Sequence, residues 1–275
     1  MTLLRARVPP GSLHGLAEGA SVRVEGEEGR RLARVARARV GEALELFDGT
    51  GQRATARVVS VDPAGVWCQL AGHPGVARGP AGEPPFSLVL VQAAAKAGRM
   101  ELALEKATEL GATALWVTVC RRCVVRPAPG GERVRRWQRV VEQAVRQCGR
   151  AVVPPVEGPM DWNEAMARVA QLGPSWLRLV AWEKATVPLA ELLGRFKASA
   201  VPGVAVCIGP EGGLTGEEVQ AAEQAGCAPV SLGPRILRTE TAAAVALALV
   251  QAFLGDLAAA PPAAGPADPA GRKPG

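Results

Sequence analysis

Two short stretches toward the C-terminal end, residues 204–214 (VAVCIGPEGGL) and 229–242 (PVSLGPRILRTETA), constrain the fold more than any other feature of the chain. Each begins as a compact apolar run, breaks at a Gly-Pro pair and leads into a helical pattern. Val204, Ala205, Val206, Cys207 and Ile208 include no polar residue, as expected of a parallel strand buried on both faces. Gly209-Pro210 must then turn the chain, and Gly212-Gly213 leaves backbone amides open to close approach by a ligand. Thr215 and Glu218 have capping-box spacing, which predicts a helix starting at once. The second stretch repeats the plan with Leu232, Gly233-Pro234, and either Thr239 or Thr241 as helix N-cap. Open α/β sheets bind ligands outside the carboxyl ends of their strands, and two such loops carrying Glu211, Arg235, Arg238 and Glu240 fit that rule. No Gly-Lys-Ser/Thr follows these glycines, and no Gly-x-Gly-x-x-Gly follows a strand pattern. A P-loop and a Rossmann dinucleotide site are therefore not expected.

The rest of the chain divides by its periodicity. Residues 1–75 read as a small β-rich domain, with strands over 22–24, 44–47, 54–61 and 66–70 separated by Gly or Asp turns such as Asp48-Gly49. Residues 30–40 fit a helix or a bent strand; Leu32, Val35 and Ala36 favour a short helix. A Gly/Pro-rich stretch then breaks both periodicities, giving a linker over 76–85. From Phe86 strands and helices alternate, the grammar of a parallel α/β sheet, and this second domain runs over 86–257. Strands are expected over 86–91, 114–119, 177–182, 204–208 and 229–232. Helices are expected over 99–110, 133–147, 162–172, 189–196, 217–225 and 241–254. The last is apolar nearly all round, so it should be buried in the core or against another subunit. Residues 258–275 are Pro/Gly/Ala-rich without periodicity and are expected to be a disordered tail.

Charge placement adds a partner class. The formal charge is +6, and 27 of the 32 basic residues are Arg. Between Arg121 and Arg150 nine arginines face only Glu132 and Glu142. Arg30, Arg31, Arg34, Arg37 and Arg39 form a second cluster. Both are the electrostatic footprint of a nucleic-acid binder, and Arg can grip phosphate bidentately. No apolar run spans a bilayer and the N-terminus lacks the apolar core of a signal peptide, so a cytoplasmic location without membrane association is expected. The six cysteines are scattered; Cys120-x-x-Cys123 is the one close pair, and His14 and His73 are remote in sequence, so no metal is expected.

The runs IGPEGGLTGEEV and LGPRILRTETA resemble those of the RsmE-type rRNA uridine-N3 methyltransferases, a family of the knotted SPOUT superfamily. KAGRMELALEKATELG adds family positions at Lys96, Met100, Glu101, Lys106, Glu109, Leu110 and Gly111. CRRCVVR and AVRQCGR also match, except that Arg121 and Arg146 stand where the family is expected to carry Glu. In residues 30–51, Arg31 and Ala36 replace an expected His and Leu. The resemblance covers residues 2 to about 256. It implies an α/β fold with a knotted SPOUT-type parallel-sheet methyltransferase domain, preceded by a PUA-like β-barrel that helps hold RNA. The knot follows only from the resemblance; residue pattern alone argues against one. The resemblance further implies S-adenosyl-L-methionine as cofactor, 16S rRNA of the small ribosomal subunit as partner, and a homodimer.

Loop chemistry and resemblance together name Ile208, Gly209, Gly212, Leu232, Gly233, Ile236, Leu237 and Thr241 as cofactor contacts. Backbone groups would meet the adenine and apolar side chains would enclose it. Methyl transfer to N3 of uracil needs that nitrogen to lose a proton, and a guanidinium can stabilise the resulting anion. Arg238 is the expected catalytic residue, with Glu211 or Glu240 as proton acceptor. Arg30, Arg31, Arg34, Arg37, Arg122 and Arg150 are the expected RNA contacts. The alternatives are a knotted ribose 2′-O-methyltransferase, whose Asn-Gly-Asn-Arg-like loop and later Ser/Asn motif the chain lacks, and a non-catalytic RNA-binding or ribosome-assembly factor.

Overall fold

The computed structural model describes residues 3–76, 83–196 and 201–257. The expected tail and residues 77–82 of the expected linker lie outside the described residues. The N-terminal strands, in chain order, are β1 (Leu4–Arg7), β2 (Ser21–Val24), β3 (Ala43–Phe47), β4 (Gln52–Asp62), β5 (Gly65–Leu70) and β6 (Gly75–Val76). They form one sheet in the order β1-β3-β4-β5-β2, with β6 on β4. β1 runs parallel to β3 and the remaining pairs are antiparallel. Period-two alternation turns Ala54, Ala56, Val66, Cys68 and Leu70 into a core shared with Leu13, Leu32, Leu44 and Leu46. The helix expected over 30–40 starts earlier and changes pitch. α1 (Gly26–Arg30) passes into a π-helical turn, Arg31–Val35, and Arg37 follows in the left-handed region at φ 52°. Its core-facing stripe is narrow, because Leu32 is buried while Val35 is exposed.

The C-terminal half alternates β7 (Ser87–Ala93), α2 (Arg99–Glu109), β8 (Ala114–Val119), α3 (Glu132–Cys148), β9 (Val156–Asp161), α4 (Trp162–Ala170), β10 (Leu177–Ala181), α5 (Leu189–Leu193), β11 (Gly203–Ile208), α6 (Gly216–Gln224), β12 (Ala228–Val230) and α7 (Thr239–Leu254). Its sheet has the order β12-β10-β11-β7-β8-β9, every pair parallel. All six residues of β11 are buried, as its apolar run requires. β9 carries Gly158-Pro159 inside it, which hides it from periodicity; it is tolerated because β9 is an edge strand. α2 buries Met100, Ala103, Leu104, Ala107 and Thr108 on one face and packs against α3 and α7. The capping box at Thr215 and Glu218 is formed, with both reciprocal hydrogen bonds present. α7 is less enclosed than its composition suggests: Ala243, Ala246, Leu247, Val250 and Leu254 are buried, whereas Phe253 is 42% exposed. Among the described residues no helix is long and apolar enough to cross a membrane.

Several arginines read as surface charge are structural. Arg150, an expected RNA contact, is instead a core residue, only 2% exposed. Its Nη1 donates to the Thr108 and Ala112 carbonyls at 2.9 and 2.7 Å, capping the end of α2. Its Nη2 donates to Glu83 Oε2 at 2.7 Å, while Glu83 Oε1 accepts the amides of Ala151 and Val152. Arg31 is likewise engaged, with Glu28 at 2.8 Å and the Arg5 carbonyl at 2.7 Å, so it is not a free phosphate ligand. The two family departures meet acids. Arg146 pairs with Glu28 of the N-terminal half at 2.6 Å, and Arg121 pairs with Glu217 at 2.8 Å. Arg5 also crosses between the halves, donating to the Val145, Arg146 and Arg150 carbonyls.

Breaking a buried ion pair on one side leaves an uncompensated charge, which costs roughly 3–5 kcal/mol. Glu83→Ala is expected to destabilise the protein on that scale. Urea unfolding should show a lower midpoint at unchanged slope; an unchanged midpoint would remove the pair from the stability account.

Candidate active site

β10 ends between β11 and β12, and the carboxyl ends of β11 and β12 lead into the two Gly-Pro loops. Ile208 closes β11 and is buried. Gly209-Pro210 then turns, with the Gly213 amide donating to the Pro210 carbonyl at 2.9 Å. A Cβ on Gly212 would stand 2.9 Å from Arg122 Cβ, so this glycine is required by the close passage of the protein's own Arg122. Arg122 is exposed, and its Nη1 donates to the Gly212 carbonyl at 3.1 Å. In the second loop Ser231 Oγ accepts the Gly233 amide at 3.2 Å. Gly233 has φ 107°, and no atom lies within 4 Å of where its Cβ would stand, so a ligand can approach the backbone there.

The two loops meet at Thr239. Its hydroxyl donates to the Gly209 carbonyl at 2.7 Å and accepts from Gln92 Nε2 of central strand β7 at 2.8 Å. Neither threonine caps α7; the N-cap is Arg238, without a side-chain cap bond. Thr239 is spent on joining the loops, and Thr241 is exposed on the first turn outside the cleft, so its expected cofactor contact is withdrawn.

The cleft between these loops has a volume of about 830 Å³, inside the roughly 300–1,000 Å³ usual for small-molecule sites. Ile208, Gly209, Gly212, Leu232, Gly233, Ile236, Leu237, Arg238 and Glu211 all line it. Glu240 does not; it is buried behind the cleft, 4.0 Å from Arg99 Nε. Glu211 Oε1 accepts the Lys96 amide at 3.2 Å and lies 3.4 Å from Arg99 Nη1, while its Oε2 is buried with no partner among the described residues. Arg238 is exposed at the mouth, and its guanidinium makes no hydrogen bond or ion pair among the described residues. The wall after β10, Trp182, Glu183, Ala185 and Pro188, was not read from the sequence, nor was Arg99. A strand over 177–182 was legible, but its place between β11 and β12 was not.

A second, smaller cleft of about 440 Å³ lies beyond β8 and β9, between Arg121, Asp161, Asn163 and Glu218. Three of its acids are occupied locally: Asp161 caps α4, Glu218 completes the α6 box and Glu217 pairs with Arg121. Among the described residues no cluster of His, Cys, Asp and Glu could hold a metal. Cys120 and Cys123 engage each other instead, the Cys120 amide donating to Cys123 Sγ at 3.2 Å.

Of the expected RNA contacts, Arg30, Arg34 and Arg37 are exposed on the N-terminal half without an ion pair among the described residues, and Arg122 stands at the cleft rim.

Residues 82–251 match the model of an RNA methyltransferase domain, and residues 24–70 that of an RNA methyltransferase PUA domain. The ribosomal RNA small subunit methyltransferase E of Mycobacterium tuberculosis is 38% identical over 235 residues, covering 84% of this chain and 86% of the relative. That of Synechocystis is 34% identical, over 81% of this chain and 70% of the relative. The crystal structure of ribosomal RNA small subunit methyltransferase E from Neisseria gonorrhoeae bound to S-adenosyl methionine superposes with a TM-score of 0.80 at 32% identity. It covers 93% of this chain and 99% of that one.

Thr239→Val keeps the shape of the side chain but removes the hydroxyl. It leaves the Gly209 carbonyl without its hydroxyl donor and Gln92 Nε2 with only the Ala93 carbonyl, at a cost of about 1–3 kcal/mol for an unsatisfied buried group. Chemical denaturation should report that loss; full stability in this variant would show that the hydroxyl does not tie the loops.

Proposed function

The chain belongs to the ribosomal RNA small subunit methyltransferase E family, and we propose that it methylates N3 of a uridine in the 16S rRNA of the small ribosomal subunit. The observation that carries this reading is the cleft, whose two Gly-Pro loops bring sterically accessible backbone and apolar side chains onto one space. S-adenosylmethionine fits the groups present. Gly233 leaves an unobstructed backbone, Leu232, Ile236 and Leu237 supply apolar walls, and Trp182 Nε1 is a buried donor without a partner among the described residues. When bound, that cofactor supplies a methyl group on a sulfonium, an electrophile for in-line displacement.

The chain's own residues bind, orient and manage charge. Ile208, Gly209, Gly212, Leu232, Gly233, Ile236 and Leu237 hold the cofactor, and much of the rate comes from keeping nucleophile and sulfonium in register. Arg238 presents an unpaired guanidinium at the mouth, where it stabilises the uracil anion. Glu211 accepts the N3 proton; what supports it over Glu240 is that it lines the cleft with a free oxygen. Arg30, Arg34, Arg37 and Arg122 neutralise phosphates, the unit over 1–75 acting as RNA holder and the unit over 86–257 as catalyst. The chain threads as the trefoil of the SPOUT superfamily and pairs as a homodimer through the outward face of α7, where Phe253 is exposed.

Nucleoside analysis of rRNA from a strain lacking the protein, with complementation, tests the reaction. Loss of 3-methyluridine is expected; loss of a ribose methyl, or no loss, would overturn the reading. Arg34→Ala with Arg37→Ala should weaken small-subunit binding and flatten its salt dependence, by about 0.9 in log–log slope per lost phosphate contact. Arg238→Ala should slow single-turnover methylation at saturating RNA and cofactor, since removing one such donor costs roughly 2.7–4 kcal/mol elsewhere. A full single-turnover rate would dismiss Arg238 from catalysis.

A further inference from the structure

Arg99 stands at the start of α2, beyond the carboxyl end of central strand β7. Its Nη1 lies 3.4 Å from Glu211 Oε1 on the first Gly-Pro loop, and its Nε lies 4.0 Å from Glu240 Oε1 in the first turn of α7, directly after the second loop. The two carboxylates are largely removed from water, their side chains 17% and 8% exposed. Among the described residues neither has another ion-pair partner, and the Oε2 of each is buried without a hydrogen bond. One guanidinium therefore serves two buried acids that belong to the two loops forming the cleft.

Two carboxylates sharing a poorly solvated site repel strongly, and a cation between them turns that repulsion into attraction toward one point. We propose that Arg99 is a positioning residue for methyl transfer, holding both cleft loops in register by bridging Glu211 and Glu240. The guanidinium is suited to this because its planar fork can address two acceptors in fixed geometry, which a lysine ammonium on a flexible stem does not. The role is distinct from that of Thr239, which joins the same loops through backbone and hydroxyl on the strand side. Arg99 does so through charge, on the side facing α2. Its consequence for cofactor binding rests on the reading of the cleft as the S-adenosylmethionine site; its consequence for loop order does not.

Hydrogen exchange on the ligand-free protein tests the bridge first. Two hydrogen-bonded amides report on the loops, Gly213, which donates to the Pro210 carbonyl, and Ala242, which donates to the Arg238 carbonyl. In Arg99→Ala both should exchange faster by about tenfold or more, the equivalent of roughly 1.4 kcal/mol. Adding Glu211→Gln and Glu240→Gln to that variant removes the unpaired charges and should restore most of the lost protection. Unchanged exchange in Arg99→Ala, or no recovery in the triple variant, would overturn the proposal. Calorimetry with S-adenosylmethionine should follow the same order: wild type, weaker in Arg99→Ala, recovered in the triple variant. Loss without recovery would mean that Arg99 contacts the ligand directly and would also overturn it. Absence of binding by wild type would strike the cofactor reading alone, the exchange result standing on its own.

Discussion

One hydroxyl joins the parts on which the cleft depends. Thr239 begins α7, yet its side chain reaches back to the Gly209 carbonyl of the first loop and to Gln92 on central strand β7. Three segments far apart in sequence are thereby fixed within one hydrogen-bond network, and all three are buried or nearly so. Networks of this kind specify geometry strongly because a buried polar group left unmatched is costly. The cleft is the space left open once β11, β12 and α7 are held together in this way. Ile208 and Leu232 then wall it, and Gly233 leaves its backbone accessible.

The charge pattern changes meaning once the chain is folded. The run of nine arginines between 121 and 150 reads as one basic face, but Arg121, Arg136, Arg146 and Arg150 are each ion-paired. Arg146 fastens α1 to α3 and Arg5 fastens the N-terminal sheet to it, while Arg150 closes α2 from inside. The exposed remainder, including Arg122, Arg133, Arg135 and Arg139, is the part available to a polyanion. Arg121 and Arg146, which depart from the expected family pattern, find their acids in Glu217 and Glu28, so the two changes are locally compensated.

What was legible in the sequence was local. The all-apolar β11, the amphipathic α2 and the capping box at Thr215 each follow from residues within a few positions of one another, and the Gly-Pro loops announced the cleft. What was not legible depends on sequence-distant partners. Arg150 is buried because Glu83 and the end of α2 receive it, and nothing near it in sequence says so. Thr239 and Thr241 fit the same capping spacing, and only the position of Gly209 decides which one is structural. Trp182 and Arg99 enter the cleft through the sheet order, which places β10 and β7 on either side of β11. β9 escaped because an internal Gly-Pro pair contradicts the pattern of an interior strand while an edge position permits it.

The central claim is that the paired loops bind S-adenosylmethionine through an open backbone at Gly233. Calorimetric titration with S-adenosylhomocysteine in the presence of a chelator, comparing wild type with Gly233→Val, tests it most directly. The account predicts one saturable site per chain in wild type and loss of binding in a variant whose circular dichroism is unchanged. No binding by wild type, or equal affinity in the variant, would contradict it.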